Sequence, residues 1–125
     1  METILIVEDD VVLGQLLSEE LTRGGWRVAL AADPVDALEH LKAQKMDVLL
    51  TDFHLCTDLN GVNITQWAES NMHSTLRCVM SGAVIPVEDV LKPLGVEIFL
   101  SKPFDPSKLS GQLREFLRDT GRVSR

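Results

Sequence analysis

The chain has 125 residues, of which 45% are hydrophobic and 25% charged, as is ordinary for one globular domain. We expect residues 1–120 to form that domain and residues 121–125 to form a C-terminal tail. The net charge of −7 disfavours direct binding to nucleic-acid phosphates, and most of the acidic excess is expected to be solvated surface. No apolar run approaches the ~20 residues of a membrane span. No export signal precedes the first apolar run, so the expected location is cytoplasmic.

Five apolar, β-rich runs alternate with helical patterns along the chain. This alternation predicts an α/β fold in which a parallel sheet has helices on both faces. Most of the runs are almost continuously apolar, as expected for strands that are buried on both faces of a sheet. The predicted strands are residues 3–7, 26–30, 47–51, 75–80 and 96–100.

Three stripes of apolar residues at three-and-four spacing predict the inward faces of helices. Asp33 and Asp105 each precede a proline, which predicts that they cap the second and last helices. The two cysteines have no metal-binding spacing and are expected to be reduced thiols. The stripes are Leu13, Leu16, Leu17 and Leu21, then Val87, Val90, Leu91 and Leu94, and finally Leu109, Leu113, Phe116 and Leu117.

Polar residues follow four of the predicted strands. Glu8 and Asp9 come after the first strand, Asp52 after the third, Ser81 after the fourth and Lys102 after the fifth. The carboxyl ends of parallel strands meet at one edge of an open sheet, where ligands bind at the switch in strand order. We therefore expect three carboxylates to converge there with a lysine and a hydroxyl.

Such a group of carboxylates requires a counter-charge. Two unit charges about 4 Å apart repel by roughly 4 kcal/mol at an effective dielectric constant near 20. A divalent cation would offset this repulsion, and hard oxygen ligands favour Mg²⁺ over zinc. Lys102 could hold a phosphate group as a point charge, and Ser81 could donate to a second phosphoryl oxygen. Asp10, the third acid of its run, is expected to place its charge in the first turn of the first helix instead.

Four sequence blocks together resemble the response-regulator receiver domains of two-component and phosphorelay signalling. The resemblance covers nearly the whole chain, and it implies a single doubly wound, flavodoxin-like (βα)5 domain with strand order 2-1-3-4-5. The blocks are ILIVEDD at 4–10, LLTDF at 49–53, VMSG at 79–82 and FLSKPF at 99–104.

The resemblance also implies roles for individual residues. Asp52 would be the phosphoacceptor, and Glu8 and Asp9 would be the metal pair, with Mg²⁺ as the cofactor and Mn²⁺ as a substitute. The Lys102–Pro103 peptide would be cis.

Further implied roles concern the switch and the phosphoryl lifetime. Ser81 would be the switch hydroxyl and Phe99 the switch aromatic, although Phe99 on its own pattern would be ordinary core. His54 would supply a backbone carbonyl to the metal. The side chains of His54 and Ala83 would influence how long the phosphoryl group lasts.

The implied function is that of a phosphoacceptor and not of a turnover enzyme. A sensor histidine kinase or a phosphotransfer protein would supply the phosphoryl group, and a downstream protein or a missing effector domain would receive the signal. The alternative is a pseudo-receiver, a binding module that is never phosphorylated, although such modules usually lose the acids or lysine that this chain retains. An aspartyl-phosphate hydrolase would carry an acid where His54 stands. A nucleotide or flavin carrier lacks support because no glycine-rich phosphate turn follows the first strand.

Two segments depart from the family pattern. The loop after Asp52 lacks the usual proline and is one residue longer before Gly61. The segment before Phe99 lacks the paired acids that accompany one type of receiver dimer. Loop geometry and dimerisation through that face are therefore left open.

Overall fold

The computed structural model describes residues 1–53, 61–72, 74–82, 89 and 91–122. Five parallel strands form one sheet in the order β2-β1-β3-β4-β5, which confirms the predicted fold class and strand order. No helix in this part of the chain is both long and apolar enough to cross a membrane. The strands are β1 (Thr3–Val7), β2 (Arg27–Ala31), β3 (Val48–Asp52), β4 (Leu76–Ser81) and β5 (Ile98–Ser101).

Four α-helices lie in the described residues. The second predicted stripe, which belongs to the fourth helix of the β/α alternation, falls partly outside them, at Val87 and Val90. Leu91 of the same stripe is buried just before a 3-10 helix at Lys92–Leu94. The α-helices are α1 (Val11–Arg23), α2 (Pro34–Ala43), α3 (Gly61–Asn71) and α4 (Pro106–Asp119).

The two faces of the sheet bury separate apolar clusters because side chains alternate along each strand. In β1, Ile4 and Ile6 belong to a cluster with leucines of α1 and α4, whereas Leu5 and Val7 belong to one with α2 and α3. Both faces are therefore covered by helices, as the sequence predicted. This packing presents the carboxyl ends of the central strands at one edge.

Helix ends follow the predicted capping residues. Asp33 accepts a hydrogen bond from the Asp36 N–H at 2.8 Å, and Asp105 accepts one from the Ser107 N–H at 3.0 Å, each with proline in the first turn. Asp10, which was expected to place its charge in the first turn of the first helix, is the N-cap of α1, and its carboxylate accepts from the Val12 and Leu13 N–H groups. These side chains satisfy backbone donors that the first helical turn leaves without partners.

Two details of the sequence prediction were wrong. Leu16 was placed on the inward stripe of α1 but is 43% exposed, because the buried face is centred on Leu17 and Leu21 and Leu16 lies about 100° away from Leu17 around the helix. Four strands, β2 to β5, also begin one or two residues later and end one residue later than predicted. Asp52 and Ser81 are consequently the last residues of β3 and β4 and are not the first residues after them, since ladder pairing continues to Asp52–Met80 and Ser81–Ser101.

Candidate phosphoacceptor site

Three carboxylates converge where β1 and β3 end. One oxygen each from Glu8, Asp9 and Asp52 can be chosen so that all lie within 4.8 Å of one another. Glu8 is 3% exposed and Asp52 is 8% exposed, while Asp9 is half-buried. Asp10 is not part of this group, consistent with its role as a helix cap. The structure thus brings together the three acids that the sequence predicted to meet.

Lys102 is held between two of these acids. Its ammonium Nζ donates to Glu8 Oε1 at 2.9 Å and to Asp52 Oδ2 at 3.2 Å. Its backbone N–H donates to the Ser81 carbonyl at 2.8 Å, which fixes the residue just beyond β5 against the end of β4. The following Lys102–Pro103 peptide is cis, as the family resemblance implied. The Lys102 ammonium group therefore bridges the acids at the ends of β1 and β3.

Burial and neighbouring charges shift the ionisation of this group. Burial raises the pKa of Glu8 to about 7; the Asp52 charge acts in the same direction, and hydrogen bonds from Lys102 and the Asp10 N–H oppose it. Burial alone would lower the pKa of Lys102, but its hydrogen bond to Glu8 and the charges of Glu8 and Asp52 leave that pKa above its ordinary value. The pocket therefore favours a charged lysine and disfavours full ionisation of its acids.

Ser81 and Phe99 lie on the two neighbouring strands. Ser81 ends β4, is 1% exposed and pairs with Ser101 of β5. Phe99 is half-buried and packs against a small apolar cluster formed by Val79, Leu91 and Val96. The fold places Ser81 at the same sheet edge as the carboxylates. Phe99 lies in β5 two residues before Ser101, the residue that pairs with Ser81.

Some site features lie outside the described residues or were missed. His54 and Ala83, which were predicted to influence the metal and the phosphoryl lifetime, fall outside the described ranges. The sequence reasoning missed that Glu8 makes the shorter of the two contacts with Lys102. It also missed that the Asp10 N–H donates to Glu8 Oε2 at 3.2 Å. Neither contact has a signal in residue spacing, because both depend on side-chain direction at the strand ends.

The arrangement suits a divalent cation and a phosphoryl group. Carboxylate oxygens from two strand ends are the hard ligands that Mg²⁺ prefers, and it retains several waters in such sites. Among the described residues, this is the group of acids close enough to share a metal ion. The nearby lysine supplies a fixed positive charge for an additional anion.

Comparison with known proteins agrees with this geometry. The family model described as the response regulator receiver domain matches residues 4–114. The probable transcriptional regulatory protein TcrX of Mycobacterium tuberculosis is 31% identical over 121 residues, covering 95% of this chain and 51% of that protein. The chain spans about half the length of the first curated relatives it matches.

Solved structures share the fold. A CheY-like receiver domain protein of Methanospirillum hungatei superposes with a TM-score of 0.88 at 22% identity, covering 98% of both chains. The BeF3-activated receiver domain of DrrB, a Thermotoga maritima protein, has a TM-score of 0.80 at 26% identity, covering 94% of this chain and 98% of that one. Since the family model covers most of the sequence, the chain belongs to the response-regulator receiver domains, the phosphoacceptor modules of two-component signalling.

Proposed function

We propose that Asp52 is the residue that accepts the phosphoryl group in this receiver domain. The observation that carries the proposal is the convergence of Glu8, Asp9 and Asp52 within 4.8 Å, with Lys102 Nζ 3.2 Å from Asp52 Oδ2. Asp52 ends the central strand β3, so its carboxylate faces the edge at which an incoming group can approach. A carboxylate in this position is a competent nucleophile toward phosphorus.

The transfer itself requires one bond to form and one to break. An oxygen of Asp52 attacks the phosphorus of a phosphohistidine on a sensor kinase or a phosphotransfer protein, and the phosphorus–nitrogen bond breaks with the electron pair returning to the imidazole. Lys102 balances charge on the phosphoryl oxygens as a point charge. Ser81, once it approaches the product, donates its hydroxyl to another phosphoryl oxygen.

The metal site would be formed by Glu8, Asp9 and Asp52, and the resemblance adds the backbone carbonyl of His54. Their hard oxygens fit Mg²⁺, with Mn²⁺ as a substitute. When bound, the cation offsets the charge of the acceptor and of the transferring group. Glu8 accepts hydrogen bonds from Lys102 and from the Asp10 N–H, which would hold its carboxylate in place beside the cation.

The output is proposed to pass through Ser81 and Phe99. Phosphorylation would favour a conformer in which the Ser81 hydroxyl moves toward the phosphoryl group and Phe99 turns inward. The support is that both residues lie on neighbouring paired strands, with Val79 of β4 opposite Phe99 of β5. The signal would then reach a cytoplasmic partner protein or an effector segment outside these 125 residues. Relatives that carry regulatory names are about twice as long as this chain, which is consistent with either route.

Spontaneous loss of the phosphoryl group is proposed to depend on the side chains of His54 and Ala83. A histidine can shield the group or orient a water toward it, whereas alanine can do neither. His54 is therefore expected to dominate the lifetime.

Intact-mass measurement after incubation with acetyl phosphate and Mg²⁺ tests the assignment of the acceptor. We expect one added phosphoryl group in the wild type, none in Asp52→Asn, and little labelling in the presence of a chelator. Asp47→Asn is the matched control because Asp47 precedes the same strand at its opposite end, where it accepts from the Thr3 N–H. Equal labelling of the wild type and Asp52→Asn would overturn the assignment, and an unlabelled wild type would favour the pseudo-receiver.

A further inference from the structure

A small apolar cluster lies on one face of the β4–β5 end of the sheet. Within the described part of the chain it consists of the buried residues Val79, Leu91 and Val96, with Leu94 and two phenylalanines packed against it. The preceding and following residues of β4, Cys78 and Met80, belong to the larger cluster on the opposite face. The sheet therefore separates the small cluster from the main core, the cluster formed with α1 and α4, and a change in its packing does not require that core to rearrange.

Phe53 is one of the two phenylalanines of this cluster and directly follows Asp52. Its backbone N–H donates to the Met80 carbonyl at 2.9 Å, so the peptide after the acceptor is tied to β4. Its half-buried side chain packs against the small cluster. Phe99, the second phenylalanine, packs against the same cluster from β5. One cluster therefore contacts both the neighbour of the acceptor and the proposed switch aromatic.

We infer that Phe53 is a positioning residue that couples the state of Asp52 to the position of Phe99 through this cluster. The inference rests on the proposed function of Asp52 and adds a route that does not pass through Ser81. A phosphoryl group on Asp52 displaces the end of β3, and the Phe53 ring moves with it because one peptide unit joins the two residues. Closely packed clusters respond to such displacements by adopting another discrete arrangement, since they have little spare volume.

The coupling requires a side chain at position 53 that fills the cluster and has few alternative rotamers. Leucine fills less of the cluster than phenylalanine and has other rotamers available, so it can absorb a displacement of the backbone without passing it on. The phosphoryl chemistry needs no aromatic ring at position 53, because the Phe53 side chain packs against the apolar cluster and carries no polar atom. Replacing the ring should therefore separate acceptance of the phosphoryl group from the response at Phe99.

The test compares wild type, Phe53→Leu and Phe116→Leu by methyl NMR before and after saturation with beryllofluoride, a phosphoryl mimic. Phe116 is the matched control because it is another half-buried phenylalanine, packed against the main core on the opposite face. Fluorine NMR of the bound beryllofluoride measures occupancy separately from the response. Intact-mass labelling with acetyl phosphate checks that each variant still accepts a phosphoryl group.

We expect full occupancy in all three proteins and shift changes for the methyl groups of Val79, Leu91 and Val96 in the wild type. In Phe53→Leu these changes should shrink by at least about twofold, as expected when a population shift is weakened, while Phe116→Leu should respond as the wild type does. Should Phe53→Leu fail to fold, Phe53→Met is judged by the same criterion, because the flexible, unbranched methionine side chain can also absorb a displacement of the backbone. Undiminished methyl changes in an occupied Phe53 variant would overturn the coupling alone. A wild type that neither labels nor binds the mimic would overturn the function of Asp52, and the coupling with it.

Discussion

Replacing Glu8 with glutamine should change how the stability of the metal-free domain depends on pH. Burial raises the pKa of Glu8 to about 7, from 4.5 for an ordinary glutamate. Between these values the folded state binds more protons than the unfolded state, so the free energy of unfolding falls as pH rises. From pH 5 to pH 8 the two pKa values give a loss of about 2–3 kcal/mol. Glutamine has no charge to bury and should not show this loss.

The assay is urea unfolding of wild type and Glu8→Gln at pH 5, 6, 7 and 8 in the presence of a chelator. Subtracting the free energies of unfolding of the two proteins removes the contributions of groups that titrate alike in both. This difference should move by about 2–3 kcal/mol in favour of the variant as pH rises from 5 to 8. Adding Mg²⁺ at pH 8 should then stabilise the wild type, because the cation offsets the buried charge. A difference that stays constant across this range would refute the reasoning, since it would mean that Glu8 ionises as easily in the folded state as in the unfolded chain.

Three further perturbations have expected outcomes. Lys102→Gln should bind Mg²⁺ about tenfold more tightly by titration calorimetry, because the competing ammonium is gone, yet label more slowly with acetyl phosphate. Asp33→Ala should cost about 1 kcal/mol in urea unfolding through loss of the α2 cap, without altering labelling. His54→Ala should alter the lifetime of the phosphorylated protein roughly tenfold, about 1.4 kcal/mol of barrier, while Mg²⁺ affinity stays within about twofold, because the backbone carbonyl is retained. An unchanged lifetime in that variant would show that His54 is placed elsewhere.

Most of the fold could be predicted because its determinants are local. The strands are apolar runs of four to six residues, and helix starts such as Asp33–Pro34 carry their own capping chemistry. Strand ends were less certain: the ladder continues to Asp52 and Ser81 because their partners on β4 and β5 extend equally far. The exposure of Leu16 depends on how α1 is rotated against the sheet, which a leucine stripe does not specify.

The site could be predicted as a set of residues but not as a set of contacts. Parallel strands bring Glu8, Asp9, Asp52 and Lys102 to one edge, so their proximity follows from topology. That Lys102 lies closer to Glu8 than to Asp52 depends on side-chain rotamers. The burial of Arg77 in β4 was not predicted either.

The Arg77 guanidinium is satisfied by partners that topology alone does not predict. Nε donates to the Gly95 carbonyl at 2.6 Å, Nη1 donates to the Thr75 carbonyl at 3.0 Å, and Nη2 lies 3.2 Å from Glu97. A buried arginine destabilises a strand if its N–H donors lack partners. The residues just before β4 and before β5 supply those partners here, so they are what allows Arg77 to be buried.

The charges of the pocket explain why binding of a cation should precede acceptance of the phosphoryl group. The ionised forms of Glu8, Asp9 and Asp52 together with the Lys102 ammonium carry a net charge of −2, and this remainder lies in a largely buried site. A divalent cation matches that remainder, whereas a phosphoryl dianion arriving first would meet a surplus of like charge. Burial is the main cause of the raised pKa of Glu8, and the Asp52 charge adds to it, so Glu8 retains a proton below about pH 7 when no cation is bound. The proton on Glu8 and Mg²⁺ should therefore compete, so that metal affinity increases with pH up to about the pKa of Glu8 and changes little above it.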